Sequence, residues 1–255
     1  MSTIFQEPKA LREAARRGAF TLQTSGHAPG HLQANLMIIP KAQAFDFLLF
    51  CQRNPKPCPL IEVLEPGEVE PRSARGGNIA TDVPGYRVYR DGEFVDERLD
   101  VSELWQIDFV SFLIGCSFSF EDALAQADIP LRHVVQGRNV AMYRTSLLCI
   151  PSGPFNGEMV VSMRPVKSRD VAKAVEISGR FDLAHGAPVH VGNPQAIGIT
   201  DIGRPDYGDA VSIKDDEVPV FWACGVTPQW VAQRIRLPMC ITHAPGKMFV
   251  TDLRG

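Results

Sequence analysis

The chain has no CxxC pair; its six cysteines (Cys51, Cys58, Cys116, Cys149, Cys224 and Cys240) are scattered. That spacing indicates neither a disulfide framework nor a cysteine-held zinc, and reduced thiols in the cytoplasm are the simplest expectation. No apolar run near the start is long enough for a secretory core. The longest apolar stretch, Ile107 to Phe118, is broken by Asp108, Ser111 and Gly115 and is too short for a bilayer. Membrane contact is not expected. Nor is there a basic block: 26 Lys and Arg stand against 29 Asp and Glu, a net charge of −3, which argues against a nucleic-acid partner. Arg12, Arg16 and Arg17 read as the solvated face of a short helix. GxSxG, GxGxxG, a Walker loop and HExxH are all missing, which sets aside the commonest hydrolase, nucleotide and zinc-protease chemistries.

What remains is an ordinary globular composition, 45% hydrophobic and 22% charged over 255 residues. That is long enough to bury a large core as one domain or two. The most informative stretch is Val218 to Val231, VPVFWACGVTPQWV. Val218 to Cys224 is an apolar, β-rich run that reads as a buried strand, and Gly225 breaks it. Thr227 reads as an N-cap and Pro228 as a first helical residue, with a helix running to Leu237 before Pro238. Cys224 then sits where a strand ends and a helix begins, a place that favours ligands, anions and thiolates. The plainer reading is a core cysteine beside a tight turn. Cys116, in GCSFSFEDALAQADI, repeats the arrangement ahead of a helix expected to be capped by Ser119 with Asp122 as its capping acid.

Elsewhere the pattern predicts a helix over 8–17, a strand over 32–39, and a helix over 42–53 with Phe45, Leu48, Leu49 and Gln52 in step. Further expectations are a strand over 60–64, a surface-crossing loop over 65–84 and a hairpin about Asp91-Gly92. Residues 107–114 suit strand or helix. Extended structure through 134–145 would place Arg138 and Arg144 on one face, able to hold a carboxylate, though a solvated face is the common alternative. An amphipathic helix over 168–178 closes at Gly179. His185 and His190 are close enough in sequence to suggest a metal site with Asp182, but backbone-bonded loop histidines fit equally well. His243 reads either as a proton-transfer group or as structural.

The strings RGAFTLQTSGHAPGHLQANLMIIP, GCSFSFE, GRNVAMYRT, GPFNGEMVVSMRP, HGAPVH, VFWACGVTPQ and HAPGKMFVTD span most of the chain. Through them the sequence resembles the D-glutamate cyclase family, whose bacterial members carry a hydro-lyase label. The resemblance implies an α/β fold, a mixed layered main body (1–145 and 205–255) with a smaller α+β lobe (146–204). It also implies a carbon–oxygen lyase, without metal or organic cofactor, acting on a small amino-acid substrate. The chain departs from the pattern at Asn193, where some members carry an aspartate. A homodimer is the base-rate expectation for an enzyme of this size.

The implied reaction joins the amine of D-glutamate to its own γ-carboxylate, giving 5-oxo-D-proline and water. On the sequence alone, Arg138 and Arg144 are assigned to the substrate carboxylates and the Gly225–Thr227 region to the oxyanion. Glu121 or His243 would move protons, with Cys224 as acid, base or nucleophile. Cys116 and Cys224 also fit a different enzyme, a cofactor-independent racemase with two facing thiols, since ACGVT faintly resembles the thiol strings of that group. A binding protein for an amino acid or its lactam would use the same arginines without turnover.

Overall fold

The computed structural model describes residues 4–255 and has two antiparallel sheets with helices packed on them. In chain order the first elements are α1 (Pro8–Arg16), β1 (His31–Pro40), α2 (Lys41–Arg53), β2 (Leu60–Leu64), β3 (Tyr86–Arg90), β4 (Glu93–Arg98) and β5 (Phe109–Gly115). Then come α3 (Phe118–Gln126), α4 (Arg132–Val135), β6 (Ala141–Leu148), β7 (Glu158–Lys167), α5 (Val171–Ser178), β8 (His190–Val191) and β9 (Glu217–Ala223). The chain closes with α6 (Val226–Arg234), β10 (Met239–His243) and β11 (Phe249–Arg254). The larger sheet runs β2-β5-β1-β10-β3-β4, with β11 also paired to β1, and the smaller runs β6-β7-β9-β8. The expected mixed α/β class holds.

β1 organises the larger sheet because it is apolar on both faces. Met37 and Ile39 point to α2, whose Phe47, Phe50 and Cys51 complete one core cluster, while Leu36 and Ile38 point to a second. The buried stripe of α2 is Ala44, Phe47, Phe50 and Cys51, so Phe45 and Leu48 face outward, contrary to the expected face. The second cluster is closed by the Gly/Pro-rich segment 65–84, which does more than cross the surface: Ala74, Ile79 and Val83 are fully buried in it. Tyr86 fastens that segment, its hydroxyl donating to the Ile79 carbonyl at 2.9 Å. The 107–114 ambiguity resolves as strand.

Two further differences bear on function. The extended run expected over 134–145 is interrupted: α4 ends at Val135, the chain turns at Gly137, whose φ of 62° favours glycine, and β6 begins only at Ala141. Arg138 and Arg144 therefore do not share a strand face. The helices that follow the two thiols each start two residues earlier than expected, with Ser117 and Gly225 at the N-cap positions and no side-chain cap on either.

Candidate active site

The two sheets meet around a narrow cavity of about 60 Å³, lined by both strand–helix junctions. Cys116 follows β5 and Cys224 follows β9, so the same local grammar delivers a thiol to the cavity twice. The Phe118 N–H points to the Cys116 sulfur and the Val226 N–H to that of Cys224, each from the first residue of the following helix. Burial pushes the Cys224 thiol up to about 11, against smaller downward pulls from the Val226 N–H and Arg164. Burial raises Cys116 further still. Both are therefore neutral donors in the resting protein.

Glycine at 115 and 225 is a packing requirement. A methyl at Gly225 would collide with the Asn35 carboxamide, and one at Gly115 with the Leu183 carbonyl. The close approach at Gly225 lets Asn35 reach the cavity. There Asn35 Oδ1 lies 3.0 Å from His243 Nε2, and Gln229 Nε2 lies 2.8 Å from the same nitrogen. His243 Nδ1 is 2.8 Å from the Ala244 carbonyl, which calls for a proton on Nδ1. Burial lowers the imidazole to about 4, so at neutral pH Nε2 holds a lone pair that accepts from the Gln229 Nε2–H, while the Asn35 oxygen beside it can accept only once Nε2 is protonated.

The other candidates are placed differently. Glu121 lies outside this cavity, inside a buried cluster: Arg164 Nη2 donates to its Oε1 at 2.6 Å, His133 Nε2 is 2.9 Å from Oε1, and Ser25 donates to Oε2 at 2.9 Å. Burial alone would raise this carboxyl, but Arg164 and His133 overcome it and hold Glu121 down at about 2. It stays ionised and fixes α3, which suits it poorly to donating protons. Thr227 is likewise committed to structure, since its hydroxyl is 2.7 Å from the Cys224 carbonyl and accepts from the Val160 N–H at 2.9 Å. Arg138 donates to the Ala210 carbonyl. Arg144 pairs with Asp206 at 2.8 Å and sits 4.8 Å over the Trp230 ring, in an outer groove rather than the cavity.

The guanidinium at the cavity is Arg87, on β3, which carried no motif in the sequence. Its Nε is enclosed and has no hydrogen-bond partner among the described residues; the nearest carboxylate oxygen, Glu97 Oε2, is 3.6 Å away. Lys247 reaches the same Glu97 at 3.3 Å. Trp230 lines both the cavity and the outer groove and so separates them. At about 60 Å³ the cavity is well under the roughly 300–1,000 Å³ of usual ligand pockets, so a ligand must widen it by moving side chains such as Trp230.

The histidines first considered for metal are each satisfied by backbone: His185 Nδ1 is 2.7 Å from the Lys56 carbonyl and His190 Nε2 is 2.7 Å from that of Asn193. No group of three His, Cys, Asp or Glu is placed to hold a metal ion among the described residues. Asn193 caps a short turn through Gln195 at 3.0 Å and does not line the cavity, so the departure from the family pattern leaves the cavity lining unchanged. No helix among the described residues is long and apolar enough to cross a membrane.

Residues 110–252 match the family described as D-glutamate cyclase. A Bordetella pertussis protein named "Putative hydro-lyase" is 60% identical over 94% of this chain and 87% of its own length. One of the same name from Stutzerimonas stutzeri is 56% identical over 97% and 94%, and one from Geobacillus kaustophilus 53% over 96% and 94%. Among solved structures, a nitrogen repressor-like protein from Methanococcus jannaschii covers 96% of this chain and 98% of its own at 10% identity and a TM-score of 0.41.

Proposed function

We propose, since the chain belongs to the D-glutamate cyclase family, that it is a hydro-lyase interconverting D-glutamate with 5-oxo-D-proline and water in the cavity between the two sheets. The observation that carries this reading is the junction itself: one guanidinium, one lone-pair imidazole and two neutral thiols on helix amino termini line a single enclosed space. Arg87 would anchor the α-carboxylate by charge-assisted hydrogen bonds. Held curled, the amine meets the γ-carboxyl carbon, and such intramolecular alignment removes up to roughly 7–11 kcal/mol of barrier. His243 Nε2 would accept the proton that nitrogen releases, with the Gln229 N–H turning away from its lone pair and the Asn35 oxygen accepting from the imidazolium that forms. The thiols and the N–H groups behind them would stabilise the tetrahedral oxyanion. The departing hydroxyl leaves as water, so the balance is one glutamate for one lactam and one water.

The direct test is to incubate the protein with D-glutamate and L-glutamate separately and follow 5-oxoproline and chirality by chromatography. D-specific lactam formation is expected, and its absence over a full time course would remove the reading. In this mechanism the thiols donate and do not attack. Cys224→Ser is therefore expected to keep turnover within about tenfold, whereas Cys224→Ala, which deletes the donor, should lose about 100-fold.

One observation supports a second reading, amino-acid racemisation: two thiols from equivalent strand–helix junctions line one cavity and share one apolar cluster. Proton exchange between them needs one as thiolate, which burial opposes in both. Incorporation of deuterium at the α-carbon of glutamate in D2O, lost in both Cys116→Ser and Cys224→Ser, would favour it over the cyclase.

A further inference from the structure

The cavity's charges are as unequal as its chemistry is mixed. Arg87 is the only Lys or Arg among its lining residues, and no Asp or Glu lines it at all. His243 is neutral, and four carboxamides (Asn35, Asn139, Gln229 and Gln233) supply most of the remaining polarity. Gln229 turns its amide nitrogen to His243, which leaves Oε1 without a partner among the described residues. Asn139 Oδ1 accepts from the Val140 N–H, which leaves Nδ2 free in the same sense. Such a lining offers one anion a partner and pairs neutral N–H and C=O groups. It offers an ammonium carboxamide oxygens but no carboxylate.

Glutamate at neutral pH carries two carboxylates and an ammonium, so a second anion would find no second guanidinium or lysine there, only the thiols and the helix N–H groups, and the cation no carboxylate, once both are stripped of water. Moving the ammonium proton onto the γ-carboxylate removes both charges at once. The resulting species, a free amine beside a carboxylic acid with the α-carboxylate intact, has the same number of protons and the same net charge as before. It is also the pair of states that amide formation requires, a nucleophilic nitrogen and an electrophilic carbonyl. The lactam with its single carboxylate has this charge pattern already.

Building on the cyclase reading, we propose that the cavity selects ligands bearing one carboxylate and otherwise neutral hydrogen-bonding groups, and so binds glutamate as its internally neutralised tautomer. Desolvation then supplies the proton arrangement for cyclisation, and His243 needs only to relay the proton that nitrogen loses as the new bond closes. Atoms balance within the substrate: the C–N bond forms, the C–OH bond breaks, and the hydroxyl leaves with a nitrogen proton as water.

A binding series tests this separately from turnover. Affinity of the intact protein for 5-oxo-D-proline and for glutarate, which has two carboxylates and no amine, is measured by calorimetry from pH 6 to 8. Glutarate must take up a proton to present one charge, so its affinity is expected to fall about tenfold per pH unit, close to 100-fold in all. That of 5-oxo-D-proline should change less than threefold. The groups around Arg87 are Glu97 on β4, Lys247 bridging to Glu97 from the β10–β11 turn, Tyr89 on β3 and His243 on β10. Burial drives Tyr89 up and His243 down, away from this window. Glu97→Gln should leave the glutarate slope in place; a slope that vanishes in that variant would overturn the proposal by assigning it to the rim. Glutarate bound as tightly as 5-oxo-D-proline with no slope, or neither ligand bound, would also overturn it. The slopes as expected, with no turnover of D-glutamate or 5-oxo-D-proline, would uphold the charge rule and end the cyclase reading.

Discussion

Glu121→Gln is expected to cost roughly 3–5 kcal/mol of stability, because it leaves Arg164 charged and without its counter-ion in the interior. Arg164 is 1% exposed and Glu121 3%, so bulk water cannot solvate the guanidinium that the substitution leaves without a counter-ion. Stacking of the guanidinium against Phe120 and Trp222, at 5.3 and 5.5 Å, confines it further. For a chain of this size the loss corresponds to a melting temperature lower by roughly 6–20 °C. The exposed pair Arg180–Glu176, with side chains 70% and 69% accessible, is the control: Glu176→Gln should shift melting by less than about 0.5 kcal/mol equivalent. The pH dependence has a definite sign. Glu121 is held at about 2 in the folded protein against an ordinary value of 4.5, so its contribution is complete above 4.5 and disappears as pH falls toward 2. Melting curves of both proteins across that interval should converge at the acid end, and a gap that persists undiminished there would show that the ion cluster is not its source.

The same residue shows where local pattern stops being informative. GCSFSFE announces a strand–helix junction, and so does ACGVT, because glycine, a short apolar run and a helical period are properties of neighbouring residues. Those two junctions and the thiols on them were legible. Whether an acid in the first helical turn faces the cavity or a buried arginine is decided by Arg164, 43 residues away on β7. Arg87 was invisible for a related reason: YRVYR reads as a hairpin strand, and only the pairing of β3 with β10, which sets Arg87 opposite Thr242 and Tyr86 opposite His243, brings that strand to the site. Thr227 was misread by two residues of helix register, since a helix that begins at Val226 turns the expected cap into an internal brace on β7. Arg138 and Arg144 failed through Gly137, a turn inside an apparently continuous extended run. In each case a local signal was present, and a contact distant in sequence determined what it meant.

Arg87 therefore carries the largest expected effect on activity. Truncating one partner of a buried charge pair commonly costs about 2–5 kcal/mol, and Arg87, with 37% of its side chain exposed, belongs at the low end, so Arg87→Met should lower kcat/KM for D-glutamate by roughly 30- to 150-fold. Its melting temperature should hardly move, because Arg87 Nε has no hydrogen-bond partner among the described residues and Glu97 stands 3.6 Å away, half-exposed. Arg87→Lys should recover part of the loss and not all of it, since an ammonium restores charge without the two-pronged geometry of a guanidinium. Arg138→Met and Arg144→Met provide the contrast, each within about threefold of the parent protein, because one is tied to the Ala210 carbonyl and the other to Asp206, both outside the cavity. Steady-state kinetics on the four variants distinguishes the two geometries. A collapse at Arg144 with Arg87 unaffected would move the reaction to the outer groove beyond Trp230, whereas the opposite pattern, with melting unchanged, fixes the carboxylate anchor on β3 and makes the junction of the two sheets the place where the substrate is held.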